Sequence, residues 1–230
     1  MNLNLNFIND GLSKFYYFIQ GVIQHLIPNP NISYGIAIIV FTIIIRLILF
    51  PLNMKQTRSQ VKMQEIQPEL KKVQDKYKSD PQKAQEEIMK LYKEKGVNPM
   101  GGCLPLIIQL PILWALFYVF RNIHPVDAAT GQAIKVSFLW VKDLFSNDQL
   151  YILPILSGIT TYLSSLMMTP PADSAQAKQT STMNIGMAIF MVVMSWKFTS
   201  ALVLYWVVNN LIQIGQTALM KKMDASKAKA

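Results

Sequence analysis

The sequence predicts an all-α, polytopic membrane protein with five transmembrane helices, a cytoplasmic helical hairpin and an N-terminal interfacial amphipathic helix. Two observations lead to this fold class. The 230 residues are 51% hydrophobic and only 15% charged, which is too apolar for a typical soluble protein of this length. Five apolar segments are long enough to cross a bilayer, and the excess positive charge lies in two of the segments that they delimit.

Residues 1–32 are predicted to form an external amphipathic helix. Apolar residues from Ile8 to Leu26 recur at steps of three and four, opposite a polar side that includes Gln20 and Gln24. This pattern suits a helix in the outer membrane interface, and it suits equally well a helix packed against the bundle. The segment has neither the apolar region of a cleaved signal peptide nor a cysteine for lipid attachment, so we expect neither.

The predicted spans are residues 33–53, 99–120, 150–168, 183–197 and 198–220. About 20 apolar residues are needed to cross about 30 Å of hydrocarbon. The first span has Arg46 as its one charged residue, and the second and third have none. The last apolar stretch is too long for one span and is interrupted around Lys197, so we predict two helices that meet there in a tight turn.

Residues 54–98 are predicted to form a cytoplasmic hairpin of two antiparallel helical arms. Pro68 should kink or restart the first arm, Asp80 followed by Pro81 should begin the second, and Gly96 should end it. Any single lysine of such a segment is ordinarily just solvated, but together the lysines form a candidate docking surface for a ribosome or targeting receptor. The candidate docking residues are Lys62, Lys71, Lys72, Lys76, Lys83 and Lys90.

The distribution of charge predicts the orientation in the membrane. The hairpin has 11 basic and 7 acidic residues, and the tail at 221–230 has four lysines and one aspartate. The external loop at 121–149 and the N-terminal segment each sum to zero charge. Because basic segments stay in the cytoplasm, we predict an external N-terminus, a cytoplasmic loop at 169–182 and a cytoplasmic C-terminus.

Arg46 is the first candidate functional residue. It lies roughly 10 Å deep at 1.5 Å per residue, where an arginine costs about 2.5 kcal/mol or more. The spans contain no Asp or Glu to pair with it. A hydrated cavity would offset this cost, and snorkelling of the long side chain toward the interface is the alternative.

Two polar stripes supply hydrogen-bonding groups for such a cavity, although small polar residues often serve only helix packing. Hydroxyls recur at helical spacing along the third span and carboxamides along the fifth. Thr42 lies one turn before Arg46, and Gln109 lies in the second span. The stripe residues are Ser157, Thr160, Thr161, Ser164, Ser165, Asn209, Asn210, Gln213, Gln216 and Thr217.

A cytoplasm-open groove with a fixed positive charge could hold a polar, often acidic, peptide partway across the bilayer, while apolar parts of the same client leave sideways along methionine-rich faces. A small anion channel or transporter is the alternative, but the halves show no internal repeat. An intramembrane enzyme is not expected, because neither His25 nor His124 nor any carboxylate lies in a span. Cys103 is the single cysteine, so we expect no disulfide framework and no metal centre.

The second span opens with a sequence that resembles the signature of the YidC membrane protein insertases, NPMGGCLPLIIQLP at residues 98–111. The similarity continues in order and spacing through residues 42–52, 67–68, 151–156 and 200–206, so that it covers about residues 33–220.

The resemblance implies an insertase and chaperone of the bacterial cell membrane that uses no nucleotide or cofactor. It implies nascent membrane proteins as clients, inserted either by this protein alone or together with the Sec translocon. The ribosome and the signal recognition pathway are candidate further partners. It also implies that Arg46 engages clients, that Thr42 and Trp206 line their path, and that Met194 lies near it.

Overall fold

The computed structural model describes residues 5–98, 104–126, 130–167 and 175–227, with side chains for 9–98, 110–126, 130–167 and 181–223. These ranges are helical, apart from loops with two isolated β-bridges, Val126 to Ala133 and Phe138 to Val141. The predicted all-α class is therefore confirmed. The helices are α1 (Leu5–Leu26), α2 (Pro30–Ile48), α3 (Phe50–Glu65), α4 (Gln67–Lys76), α5 (Pro81–Glu94), α6 (Leu104–Arg121), α7 (Ile152–Leu166), α8 (Ala175–Ser195) and α9 (Ser200–Lys227).

The core lies where α1, α2, α6 and α9 meet. The rings of Tyr16, Phe41 and Phe120 contact one another edge to face with centroids 5.8–6.4 Å apart. Such pairs stabilise a core by about 0.5–1.5 kcal/mol beyond the area they bury. Val136 and Leu144 of the 121–149 loop are fully buried and close one end of this core. α7 packs against both α8 and α9.

One described helix, α2, is long and apolar enough to cross a membrane, at a mean hydropathy of 2.1. Pro30 occupies its first turn, and the Asn29 side chain accepts a hydrogen bond from Asn31 N–H. Three shorter apolar helical segments accompany it, Leu110–Arg121, Ile152–Leu166 and Ser181–Ser195. The count of five spans stays a prediction.

The apolar side of α1 is partly buried in the bundle and partly exposed. Tyr16, Ile19 and Ile23 are buried in the core, whereas Phe18 and Leu26 are exposed. Gln20, predicted on the polar side, is buried, and its Nε2 donates to Gln24 Oε1 at 2.6 Å. The reason is that position 20 lies one turn after Tyr16, on the side that packs against the bundle.

The hairpin comprises α3, α4 and α5. The predicted restart of the first arm is confirmed, because α3 ends at Glu65 and α4 begins at Gln67 with Pro68 in its first turn. The predicted N-cap is also confirmed, since the Asp80 carboxylate accepts a hydrogen bond from Lys83 N–H at 3.1 Å. A small core of Ile66, Leu70, Leu91 and Val97 joins the arms.

Gly96 ends α5 as predicted. Its φ of +60° is a left-handed conformation that favours glycine. Val97 N–H donates to Tyr92 O at 2.9 Å, and Gly96 N–H donates to Lys93 O at 3.2 Å. These two bonds form a Schellman motif, which satisfies carbonyls that the last turn would leave unpaired.

α7 approaches α8 closely at Gly158, where a Cβ would lie 2.4 Å from Val192 Cγ2 and 3.1 Å from Ala188 O. We expect Gly158→Ala to lower the free energy of unfolding by about 1–3 kcal/mol, because α8 must shift to admit the methyl group. Thermal unfolding in detergent measures the loss. Gly186→Ala on α8 is the control, since a Cβ there meets nothing within 4 Å. Equal stability of the two variants would contradict the close packing of α7 on α8.

Candidate functional site

Arg46 lies in the last turn of α2, and its residue is only 7% exposed. The helix ends two residues later, and the chain continues as α3 from Phe50. Pro51 in the first turn of α3 cannot continue the hydrogen-bonding pattern of α2, which explains the break. Polar residues of early α3 lie close to Arg46.

Two residues of α9 hold the guanidinium. Arg46 Nε donates to Asn209 Oδ1 at 2.6 Å, and Nη2 donates to Asn209 O at 3.0 Å and to Gln213 Oε1 at 3.1 Å. All three acceptors are neutral, as predicted from the absence of carboxylates in the spans. Nη1 makes no hydrogen bond with the described side chains or backbone, so its two donors remain available.

Arg46 lines an open cavity whose empty space, counted together with the adjoining open solvent, is about 620 Å³. Arg46 is its one charged lining residue, and no acidic side chain lines it within the described residues. A buried charge that faces neutral groups acts over a longer range than it would in water. We call this space the Arg46 cavity; its lining is Ile45, Arg46, Leu49, Leu52, Asn53, Gln56, Thr57, Gln60, Ile112, Tyr205, Asn209, Gln213 and Gln216.

Sequence reasoning missed the contribution of α3 to this cavity. Asn53, Gln56, Thr57 and Gln60 line it, and they follow the same i, i+3, i+4, i+7 spacing as the stripes recognised in the spans. That signal was present in the sequence, interleaved with charged residues of the hairpin. Asn53 Nδ2 and Gln56 Nε2 are buried there without a hydrogen-bond partner among the described residues.

A second polar cluster joins α7 to α9, away from the cavity lining. Asn210 Nδ2 donates to Thr161 Oγ1 at 2.9 Å and to Thr160 Oγ1 at 3.3 Å, and Trp206 Nε1 donates to Thr161 Oγ1 at 3.2 Å. Asn209 and Asn210 are adjacent, so their side chains diverge by about 100° around the helix, given 3.6 residues per turn. The structure therefore brings Asn209 to Arg46 and Asn210 to the hydroxyl stripe.

Three other predicted groove residues, Thr42, Ser157 and Ser164, lie outside the cavity lining. Thr42 is fully buried and its hydroxyl donates to Ile38 O at 2.6 Å. The Ser157 hydroxyl lies 2.9 Å from that of Ser195 on α8, and Ser164 is half-buried on α7. The side chain of Gln109 lies outside the described residues. The role of these four residues stays a prediction.

The predicted docking lysines are spread along the hairpin. Lys62, Lys72, Lys76, Lys83 and Lys90 are exposed, and Lys71 is half-buried. Lys76 Nζ and Lys83 Nζ lie 5.1 and 5.4 Å from the ring centroid of Tyr77, one on each arm. Across the described ranges, no three His, Cys, Asp or Glu side chains are grouped so that they could hold a metal ion.

Comparison with known proteins gives consistent matches. The profile of the 60Kd inner membrane protein family matches residues 23–227. A membrane protein insertase YidC of Clostridium tetani is 51% identical over 96% of both chains, and one of Clostridium perfringens is 55% identical over 96% of this chain and 92% of its own. A crystal structure of an active YidC insertase matches with a TM-score of 0.69 and 34% identity, over 94% of this chain and 47% of that one.

Proposed function

The chain belongs to the YidC family of membrane protein insertases, and we propose that its Arg46 cavity receives the hydrophilic segments of nascent membrane proteins. The family is a non-enzymatic insertase and chaperone of the bacterial membrane, and nascent membrane proteins are its clients. In this proposal hydrophobic client segments leave the protein sideways into the bilayer. The protein works either alone or beside the Sec translocon.

The observation that carries this proposal is a buried arginine held by neutral groups at the edge of a cavity. Asn209 and Gln213 orient the guanidinium without neutralising it. A fixed charge of this kind attracts acidic and polar peptide segments. Its electrostatic interaction with them is stronger in a low-dielectric site than in water. A client held there has less hydrocarbon to cross, because part of the bilayer is already replaced by polar groups.

We propose that five spans, at 33–53, 99–120, 150–168, 183–197 and 198–220, hold this cavity in the inner half of the bilayer, with the N-terminus outside. The amphipathic helix at 1–32 and the loop at 121–149 are external, whereas the hairpin at 54–98, the loop at 169–182 and the tail at 221–230 are cytoplasmic. The charge counts support this orientation. Exposed apolar side chains at Ile155, Ile159 and Leu163 on one side of α7 suit contact with lipid.

We further propose that clients reach the polar residues deeper in the bundle. Hydroxyl and indole groups there now bond to neighbouring helices or to their own backbone. Bonds of this type are modest, averaging about 0.6 kcal/mol in a membrane protein, so a polar client segment could replace them. The residues are Thr42, Gln109, Ser157, Thr160, Thr161, Ser164 and Trp206.

The hairpin is proposed to dock a cytoplasmic partner, either the ribosome or a component of the signal recognition pathway, through its exposed lysines. We expect replacement of Lys62, Lys72, Lys76, Lys83 and Lys90 by Gln to lower co-sedimentation with translating ribosomes at least about tenfold, since surface attraction to nucleic acid scales with the number of lysines. The control replaces Lys135 and Lys142, which are exposed in the external loop. Unchanged co-sedimentation would contradict this docking role and show that the lysines of the hairpin are only solvated.

Reconstitution into liposomes separates this function from the alternative, an anion channel. An insertase transfers the hydrophilic segment of a client to the protease-protected side without nucleotide, whereas a channel dissipates a chloride gradient. We expect client transfer and no chloride flux. Chloride flux that depends on Arg46, without client transfer, would instead establish the channel.

A further inference from the structure

We propose that Asn53 and Gln56 of α3 form an uncharged client-binding edge of the Arg46 cavity, which donates hydrogen bonds to main-chain carbonyls of an extended client segment. The proposal rests on the proposed function of the cavity. It adds a ligand group, the main-chain carbonyl, whose binding does not depend on the charge of the client. Every extended polypeptide presents these backbone acceptors.

The two carboxamides are buried in the cavity lining without a partner. Asn53 Nδ2 and Gln56 Nε2 have less than 1 Å² of exposed surface and make no hydrogen bond with the described residues, and Gln56 as a whole is only 8% exposed. Each side chain therefore has to rotate toward the open part of the cavity to reach a client carbonyl. Buried donors in proteins are almost always paired, so two such groups in one cavity mark positions that an ordered water or an acceptor of a ligand fills. Lys55 and Arg58 on the same helix are exposed, which shows that α3 turns its amides and not its charges toward the cavity.

Three donors close to Arg46 have no acceptor among the described residues. Asn209 Oδ1 and Gln213 Oε1 already accept hydrogen bonds from the guanidinium. Arg46 Nη1, Asn53 Nδ2 and Gln56 Nε2 remain as donors. A ligand that satisfies all three must bring acceptors, and carbonyl groups are the acceptors that any peptide segment carries.

The two carboxamides can reach alternate carbonyls of an extended chain. Positions three apart on a helix are separated by about 4.5 Å along its axis and lie on one side. Carbonyls on one side of an extended chain recur every two residues, at about 6.6 Å. The flexible arm of Gln56 can span the difference. A helical client segment bonds its carbonyls internally, so this edge should bind extended hydrophilic segments in preference to helical apolar ones.

The first test uses a client whose exported segment contains only Ser, Thr and Gly. We expect Gln56→Leu to slow its insertion into liposomes about fivefold, and Asn53→Leu with Gln56→Leu to slow it further, because each removes one neutral hydrogen bond. Gln74→Leu, which removes an exposed carboxamide from α4, is the control and should insert at the wild-type rate.

The comparison with Arg46→Ala separates this edge from the function of the cavity. If Arg46→Ala slows insertion of an acidic client while Gln56→Leu and the double variant insert the uncharged client normally, the proposed edge is wrong and the cavity function stands. If Arg46→Ala also inserts its client normally, the cavity function fails as well.

A second test does not depend on rates. In a Cys103→Ser background, which removes the single cysteine of the chain, Gln56→Cys and Lys55→Cys are each paired with a cysteine in the exported segment of a stalled client. We expect a disulfide to form from position 56 and not from position 55, which is exposed on the same helix. Equal crosslinking from both positions, or crosslinking from position 55 alone, would overturn the proposal.

Discussion

Arg46→Ala is expected to slow insertion of clients with acidic exported segments by at least about tenfold. A charge pair at 4 Å with an effective dielectric constant of 20 interacts by about 4 kcal/mol, and about 1.4 kcal/mol of this is sufficient for a tenfold effect. The variant should remain folded, because it removes a buried cation that has no carboxylate partner among the described residues. Protease protection of the exported segment measures insertion, and thermal unfolding measures stability.

Arg46→Lys is the matched variant. It retains the charge but cannot bond to Asn209 Oδ1, Asn209 O and Gln213 Oε1 in the same planar arrangement. We expect insertion between that of the wild type and that of Arg46→Ala, since attraction of the client depends more on the positive charge than on the planar geometry of the guanidinium. Complete loss with Lys would show that the geometry of the guanidinium is essential, and normal insertion with Ala would contradict the role of Arg46.

The second large effect is expected from Asn209→Leu, compared with the same substitution at the next position. Asn209→Leu removes the acceptor of Arg46 Nε and should lower insertion severalfold, by less than Arg46→Ala, because the charge remains but the guanidinium is no longer held in one place. Asn210→Leu removes the bonds to Thr160 and Thr161 and should lower thermal stability, at about 0.6 kcal/mol per bond, with a smaller effect on insertion.

This adjacent pair separates binding from packing. Insertion of an acidic client and thermal unfolding are measured for both variants at equal expression. The reverse pattern, in which Asn210→Leu stops insertion and Asn209→Leu only destabilises the protein, would contradict the assignment of the two asparagines to different neighbours.

Local signals in the sequence were sufficient to predict the fold class and the positions at which the helices of the hairpin begin and end. Proline at position 68, Asp80 before Pro81 and Gly96 each act within one helical turn, so no knowledge of the tertiary structure is needed to place them. The need of Arg46 for neutral partners also followed from the sequence, because acidic residues are absent from the apolar segments.

The neighbours of each stripe depended on packing, which the spacing of residues does not encode. Helical spacing groups Asn209 with Asn210 as well as with Gln213, yet the structure directs the first to α2 and the second to α7. Thr160 and Thr161 bond to α9 outside the cavity lining for the same reason. The position of Gln56 in the cavity lining was not predicted, because its segment has a high density of charge, although its spacing from Asn53 and Gln60 is helical.

The most direct test of the central claim is photo-crosslinking to a stalled client whose exported segment is hydrophilic and acidic. The photoreactive side chain is placed at Arg46 or Gln213, which line the cavity, and at the exposed apolar positions Leu47 and Leu211 as controls on the same helices. We predict crosslinks to the hydrophilic segment from the two cavity positions and none from the controls. Crosslinks from Leu47 and Leu211 at equal or greater yield would contradict a client path through the Arg46 cavity.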